Sequence, residues 1–408
     1  MEHHRIKTSE DIFEMVLRTA VIEATYREAE EYAAEVAASP DESKLPLSRR
    51  AKQPRRLCLR ADRKTRFHVR KKRYAPSTYD SYHSGLTTHL LPYFGDRIMS
   101  RITARNIDSF VTYLSYKPVQ GAQFHATNPE ELTTLSSSVV KNAHQVLMSG
   151  FPTARQWGFV REIPVSTVPT EKYSKRKAWN SKEMFDYLVQ IKDKSLHLIV
   201  HLAFVCSLRA GEIAGIDLAS IYLDDQSLWI RQEIQRISGS ALDALPKNEI
   251  IHLFPKQLEA SKSCLILKMP KTKESYRKVY LTKPLCDEIR EHLAWINKNK
   301  GFWDAEYNNY GLLVCRPDGF PIDPQHLGKM FKAWQTENQV ENPIFLRGLR
   351  KSDQIHKVRL SHNNYQLVAE AAGHSPKVLT SNYNEIHDSE KRMLSTMVEN
   401  NFYPAPAI

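Results

Sequence analysis

Residues 345–383, FLRGLRKSDQIHKVRLSHNNYQLVAEAAGHSPKVLTSNY, carry four side chains suited to phosphate chemistry: Arg347, Arg350, His374 and Tyr383. The two arginines stand three apart, one helical turn, so both can face a single site. His374 follows a glycine and precedes Tyr383 by nine positions. Apolar spacing predicts helices over Phe345 to Leu360 and Tyr365 to Ala372. Taken alone, an Arg-x-x-Arg is an ordinary solvated helix face and a Gly-His an ordinary helix cap, so the weight falls on what precedes them.

Two further motifs lie upstream in a fixed order. The first is CSLRAGEIAGIDLASI, residues 206–221. It places Arg209 between the apolar run Leu196 to Leu208 and a helix start at Gly211-Glu212, which would hold a guanidinium rigidly beside the core. The run is interrupted by His197 and His201 and is shorter than the roughly 18 residues of a membrane span, so it reads as a buried helix. The second is KMPKTKESYRKVYL, residues 268–281, which puts Lys271 near the tip of a strand-turn-strand hairpin. Lys273 is its nearest rival, Arg277 lies on the second strand, and both are candidate contacts to a nucleic acid, as are Lys175 and Arg176 farther upstream.

Around these motifs the pattern predicts helices over Ser181 to Lys192, Ser195 to Leu208, Pro284 to Lys298 and His326 to Asn338. Leu228 to Ile237, Cys264 to Met269 and Tyr276 to Leu281 read as strands. The fold class is therefore mainly α with a small antiparallel β-sheet (α+β), the sheet being inserted between helices.

Farther out, Ala75-Pro76-Ser77-Thr78 is a helix-start signal. It opens a small helical domain over residues 75–169, with further helices at Thr103 to Leu114 and Ser136 to Trp157. A basic linker, residues 170–177, contains EKYSKRK with Lys175 and Arg176. The catalytic-type module then spans 178–400, with a tail over 401–408. Residues 1–74 combine an acidic amphipathic helix, Ser9 to Ala38, with RRAKQPRRLCLRADRKTRFHVRKKR over residues 49–73. In that tract Asp62 is the only acid. Its last cations, Arg70, Lys71, Lys72 and Arg73, are candidate phosphate contacts, a solubilising linker being the alternative.

The net charge of +12 favours a polyanionic partner, nucleic acid before others. The five cysteines, Cys58, Cys206, Cys264, Cys286 and Cys315, are scattered and form no Cys-x-x-Cys pair, so neither a disulfide framework nor a zinc site is expected. The polar start lacks the apolar core of a secretory signal, which leads to an expectation of a cytoplasmic protein without a membrane segment. No Gly-x-x-x-x-Gly-Lys-Ser/Thr pattern occurs and the acids near the motifs form no metal cluster, so neither a cofactor nor a metal is expected.

Together, the four motifs in their order resemble the tyrosine recombinase (phage integrase) family, most of all the integrases of phages and conjugative transposons. The resemblance extends over roughly Ser77 to Met397. It includes APSTYDSYHSGLTTHLLPYFGDRIMSRITARNIDSF, residues 75–110, which is similar to that family's SAM-like core-binding domain. It implies a DNA strand-exchange enzyme in which Arg209 and Arg350 bind the scissile phosphate, Lys271 is the general acid and His374 assists by hydrogen bonding or proton transfer. Tyr383 would form a 3′-phosphotyrosyl link. Partners implied are double-stranded DNA recombination sites, a tetramer on DNA and a possible directionality factor. Arg347 departs from the pattern, because the family has a histidine there. With a pKa above about 12, arginine cannot accept a proton near neutrality, which leaves the general base unassigned. A noncatalytic DNA-binding protein of the same fold and a type IB topoisomerase are the alternatives.

Overall fold

The structure, a computed structural model, describes residues 76–95, 97–119, 133–156, 160–168, 177–245, 247–270 and 272–383, with 392, 395 and 396. The acidic helix, the basic tract, the linker candidates Lys175 and Arg176, Lys271 and the tail 401–408 lie outside these residues. The described part divides into two compact units. One comprises the residues up to 168 with Ile237–Lys247, and the other comprises 177–236 and the residues from Asn248 onward.

The first unit is all helical. Helix α1, Pro76–Ser84, continues through a π-helical stretch, Gly85–Leu90, into α2, Leu91–Phe94. Helix α3, Ala104–Tyr116, starts at a capping box in which the Asn106 amide donates to the Thr103 hydroxyl while the Thr103 amide donates to the Asn106 side chain. These bonds satisfy amides that a helix start leaves unpaired. The expected helix Ser136 to Trp157 is two helices, α4, Ser137–Met148, and α5, Gly150–Gln156. Pro152 lacks the N–H that would bond the Met148 carbonyl one turn back, and so favours a break. Leu86, Leu90, Phe94, Phe110, Leu114, Leu147 and Phe151 form the core.

The second unit is built around α7. Helix α6, Ser181–Leu188, begins at a capping box between Asn180 and Glu183. Helix α7, Lys194–Val205, buries Leu196, Leu198, Ile199, Val200, Leu202 and Ala203, as the apolar run required. It ends before Ser207, whose φ of 52° is left-handed, and α8, Ala210–Ala214, follows.

The strand region differs from expectation. Leu228 to Ile237 is two strands in two sheets: β2, Ser227–Ile230, and β3, Glu233–Ser238. Strand β1, Ile221–Tyr222, pairs antiparallel with β2. At the break the Gln232 side chain donates to the Gly215 carbonyl (3.0 Å), so the chain there bonds a helix end instead of a strand. Beyond β3, α9, Gly239–Ala244, belongs to the first unit, where it packs on α1. Ser238 caps it, and the Ser238 hydroxyl also donates to the Asp80 carboxylate of α1.

Strands β4, Ile250–Leu253, and β5, Ser263–Lys268, pair antiparallel, giving the order β3-β5-β4. Strand β6, Arg277–Tyr280, pairs with β2 in the other sheet. The segment expected to be a hairpin around Lys271 is therefore a crossing between two three-stranded sheets. The long α10, Lys283–Trp303, α11, Pro324–Glu337, and α12, Leu346–Leu360, pack against α7. Helix α13, Tyr365–Ala372, and α14, Pro376–Tyr383, lie on α12 around Val358, Val368, Ala369 and Leu379. No helix of the described residues is long and apolar enough to cross a membrane. Cys206, Cys264, Cys286 and Cys315 are buried and free.

Candidate active site

The centre of the site is a carboxylate that the motif search passed over. Glu212, on α8, is 1 % exposed and gathers three guanidiniums. Arg209 Nη1 lies 2.5 Å from Glu212 Oε1, and the Arg209 amide donates to Oε2 at 2.9 Å. Arg277 Nη2 donates to Oε2 at 3.1 Å and its Nη1 to Oε1 at 3.3 Å. Arg350 Nη1 stands 3.8 Å from Oε2. Burial alone would raise the Glu212 pKa, but the charges of Arg277, Arg209 and Arg350 and the Arg277 hydrogen bond bring it down to about 2. It is thus a permanent anion.

The same three arginines meet the C-terminal end of α13. Arg277 Nε donates to the Ala371 carbonyl (3.2 Å), Arg350 Nη2 to the Ala372 carbonyl (2.6 Å) and Arg209 Nη2 to the Gly373 carbonyl (3.3 Å). A helix leaves its last carbonyls unpaired, and its dipole is negative there, so three consecutive carbonyls each take one cation. Gly373 makes this approach possible. Its φ is +65°, and a Cβ would stand 2.9 Å from both Arg277 Nη1 and the Glu274 carbonyl. The chain turns at Gly373 and delivers His374, whose amide closes onto the Ala369 carbonyl at 2.9 Å.

His374 Nε2 is 2.7 Å from Arg350 Nη2. Arginine can only donate, so Nε2 is the acceptor and the neutral ring carries its proton on Nδ1. Burial first, then the charges of Arg350, Arg209 and Arg277, lower the His374 pKa to about 3. His374 is therefore a neutral imidazole at physiological pH, with Nε2 taken by Arg350 and its own donor hydrogen on Nδ1.

Arg350, 3 % exposed, has a second layer of support. Its Nη1 donates to the Ser207 carbonyl, the Ser207 hydroxyl donates to the Asp353 carboxylate, and Lys357 Nζ bonds Asp353 Oδ2 at 2.9 Å. The left-handed Ser207 backbone aims that carbonyl at Arg350. Burial drives the Asp353 pKa up to about 6, against the opposing pull of Lys357, Ser207 and Arg350.

The other expected site residues fall as follows. Arg209 is the most accessible of the three guanidiniums, with 37 % of its side chain exposed. Arg347 is exposed on the first turn of α12, and no ion pair holds it among the described residues. The spacing of three brings Arg347 and Arg350 to neighbouring positions, but with one at the surface and one in the core. Arg277, expected to contact DNA, is buried with its guanidinium turned inward onto Glu212. Lys273 lies in a short 3-10 turn, Lys273–Ser275, and of its side chain nothing is described. Tyr383 is the final residue of α14, one turn beyond the fully buried Leu379, and its backbone alone is described. Glu212, Ser207 and Asp353 escaped the sequence reading. A signal existed for Glu212, an isolated acid three residues after Arg209 in an otherwise apolar run. Ser207 and Asp353 carried none.

Among known proteins, the family of phage integrase N-terminal SAM-like domains matches residues 67–115. No curated protein sequence matches. Among solved structures the chain is similar to the Tn1549 transposon integrase in complex with a circular intermediate DNA, with a TM-score of 0.59 and 12% identity over 80% of this chain and 94% of that one. It is also similar to the lambda integrase tetramer bound to a Holliday junction, with a TM-score of 0.50 and 11% identity over 87% of this chain and 86% of that one.

Proposed function

We propose that this chain, which has the fold of the tyrosine-recombinase integrases, is a site-specific DNA recombinase that integrates or excises a mobile element through a 3′-phosphotyrosyl intermediate. The observation that carries the reading is the Glu212-centred cluster. Three guanidiniums against one carboxylate leave an excess of positive charge beside a neutral histidine. Phosphoryl transfer accumulates negative charge on equatorial oxygens, and fixed donors that need not reorganise lower its barrier.

In this reading the accessible Arg209 meets the scissile phosphate first. Arg350, held by the Ser207 and Ala372 carbonyls, supplies the deeper donor. The Tyr383 hydroxyl oxygen attacks phosphorus and the 5′ oxygen leaves, protonated by Lys271. Arg347 at the surface donates to the same phosphate. His374, neutral with Nε2 taken by Arg350 and its hydrogen on Nδ1, donates a hydrogen bond to a nonbridging oxygen or assists proton transfer at Tyr383. The phosphotyrosyl bond conserves the energy of the phosphodiester, so a partner strand's 5′ hydroxyl reseals it without a nucleotide. Double-stranded recombination sites, a tetramer on DNA and the cytoplasm are the partners, assembly and place that follow. The SAM-like match favours a recombinase over a type IB topoisomerase.

The test is cleavage of a nicked duplex bearing the element's own recombination site. The parent should trap a covalent protein–DNA adduct. Tyr383→Phe should bind the duplex and form none; adduct formation by that variant overturns the assignment.

A further inference from the structure

Away from the arginine cluster, α7 and α10 face each other across a different polar set. His197 and His201 lie four apart on α7, one turn, so both project from one face. Glu288, on α10, reaches between them. Its Oε1 is 2.6 Å from His197 Nδ1 and its Oε2 is 2.6 Å from His201 Nδ1. The three side chains are 29, 12 and 18 % exposed, partly sheltered but open to small solutes. The two rings stand at 85° to each other, so their Nδ1 atoms approach the carboxylate from different directions. Lys194, at the start of α7, is paired with Glu291 at 3.3 Å.

We propose that His197, His201 and Glu288 form a zinc-class divalent metal site that staples α7 to α10. One donor atom from each residue lies within 4.8 Å of the others. Two imidazoles and a carboxylate are a ligand set that zinc takes with a water in the fourth position. Metal–ligand bonds of about 2.0–2.1 Å in tetrahedral geometry separate neighbouring donors by about 3.3 Å. Binding through one carboxylate oxygen thus needs the nitrogen already bonded to that oxygen to back away by roughly 0.7 Å and the other donors, now within 4.8 Å, to settle at that spacing, by side-chain rotation of Glu288 and the two rings. The imidazole protons, now between nitrogen and carboxylate, move to Nε2, so both rings bind as neutral ligands. The carboxylate supplies charge, which magnesium also accepts, but the imidazoles favour zinc, cobalt or nickel over it. The role is structural. Helix α7 leads directly into Arg209, and α10 supports it from outside, so the metal fixes the scaffold and takes no part in phosphate chemistry.

The test uses the full chain, stripped of metal, and three variants: His197→Ala, His201→Ala and Glu288→Gln. Thermal melting without metal shows first that each variant folds. Zinc at about 100 times its dissociation constant should then raise the parent's melting temperature by about 5 °C. Magnesium should not raise it. Each variant should bind zinc at this site at least tenfold more weakly in calorimetric titration and lose the thermal shift. Glu288→Gln preserves size, so loss in that variant cannot be assigned to a cavity. Cobalt should give the parent the visible absorption of a four-coordinate ion, absent from His201→Ala. An unshifted parent melt, or equal zinc binding by parent and all three variants, overturns the proposal.

Discussion

At the scale of single residues, the site depends on charges held away from water by one another. Glu212 is buried with Arg277 and Arg350, so removing it leaves two guanidiniums without their anion. Glu212→Ala should destabilise the fold by about 3–5 kcal/mol, the usual cost of orphaning a buried ion pair, as read by denaturant unfolding. Arg347 follows a different logic, because it is exposed and unpaired among the described residues. If it donates to the scissile phosphate, Arg347→Ala slows cleavage by about two to three orders of magnitude without changing the melting temperature. Arg347→His recovers part of the rate, since imidazole can also donate. An alanine variant that cleaves like the parent in single-turnover assays removes Arg347 from the chemistry. His374 has a pH signature. Its folded pKa, about 3, lies below the ordinary value. Its contribution to stability is therefore complete above about pH 6.5 and declines as the pH falls toward 3. The melting temperature of the parent should fall more than that of His374→Gln between about pH 7.5 and 5; parallel curves for the two proteins would contradict this.

At the scale of elements, the end of α13 does the positioning. Three carbonyls take three arginines, and a left-handed glycine then releases the chain toward His374. Gly373→Ala must hold an L-residue at φ +65° and press a methyl group against Arg277 and the Glu274 carbonyl. The expected loss is roughly 1–2 kcal/mol from the backbone alone, with further loss from the displaced guanidinium. Chemical denaturation and the cleavage rate should both register it, and an unchanged midpoint would show that the turn is replaceable. Ser207 makes the matching device at the end of α7, where a left-handed serine points its carbonyl at Arg350 and its hydroxyl at Asp353.

At the scale of the whole molecule, the proposed function makes DNA binding and cutting separable. In that reading the cleavage pocket is made of guanidiniums, an imidazole and the expected lysine. Cutting should therefore persist in EDTA at temperatures well below the melt, while complete loss with DNA binding intact would contradict the reading. If about six cations of residues 49–73 meet phosphates, affinity should fall with roughly the fifth to sixth power of salt concentration. Deleting the tract should flatten that slope; an unchanged slope would leave it a linker.

The sequence by itself determined the fold class, the order of the longer helices and the four motifs, while the short α9 and α14 went unread. Buried helices write themselves as apolar runs, as in Leu196 to Leu208, and Arg209, Arg350 and His374 converge as their order implied. Only the tertiary structure decided that Glu212 binds those arginines together, that Arg277 faces inward, and that Leu228 to Ile237 divides between two sheets. Each of these depends on partners distant along the chain. Glu212 meets Arg277 and Arg350, and the last carbonyls of α13 meet all three guanidiniums, through pairings of charge and hydrogen bond that leave no local periodicity. The strand run reads as one strand because apolar residues recur through both halves, at Leu228, Trp229 and Ile230 and again at Ile234 and Ile237. What divides it is the competition between two sheets for hydrogen bonds, settled only when β5 and β6 arrive.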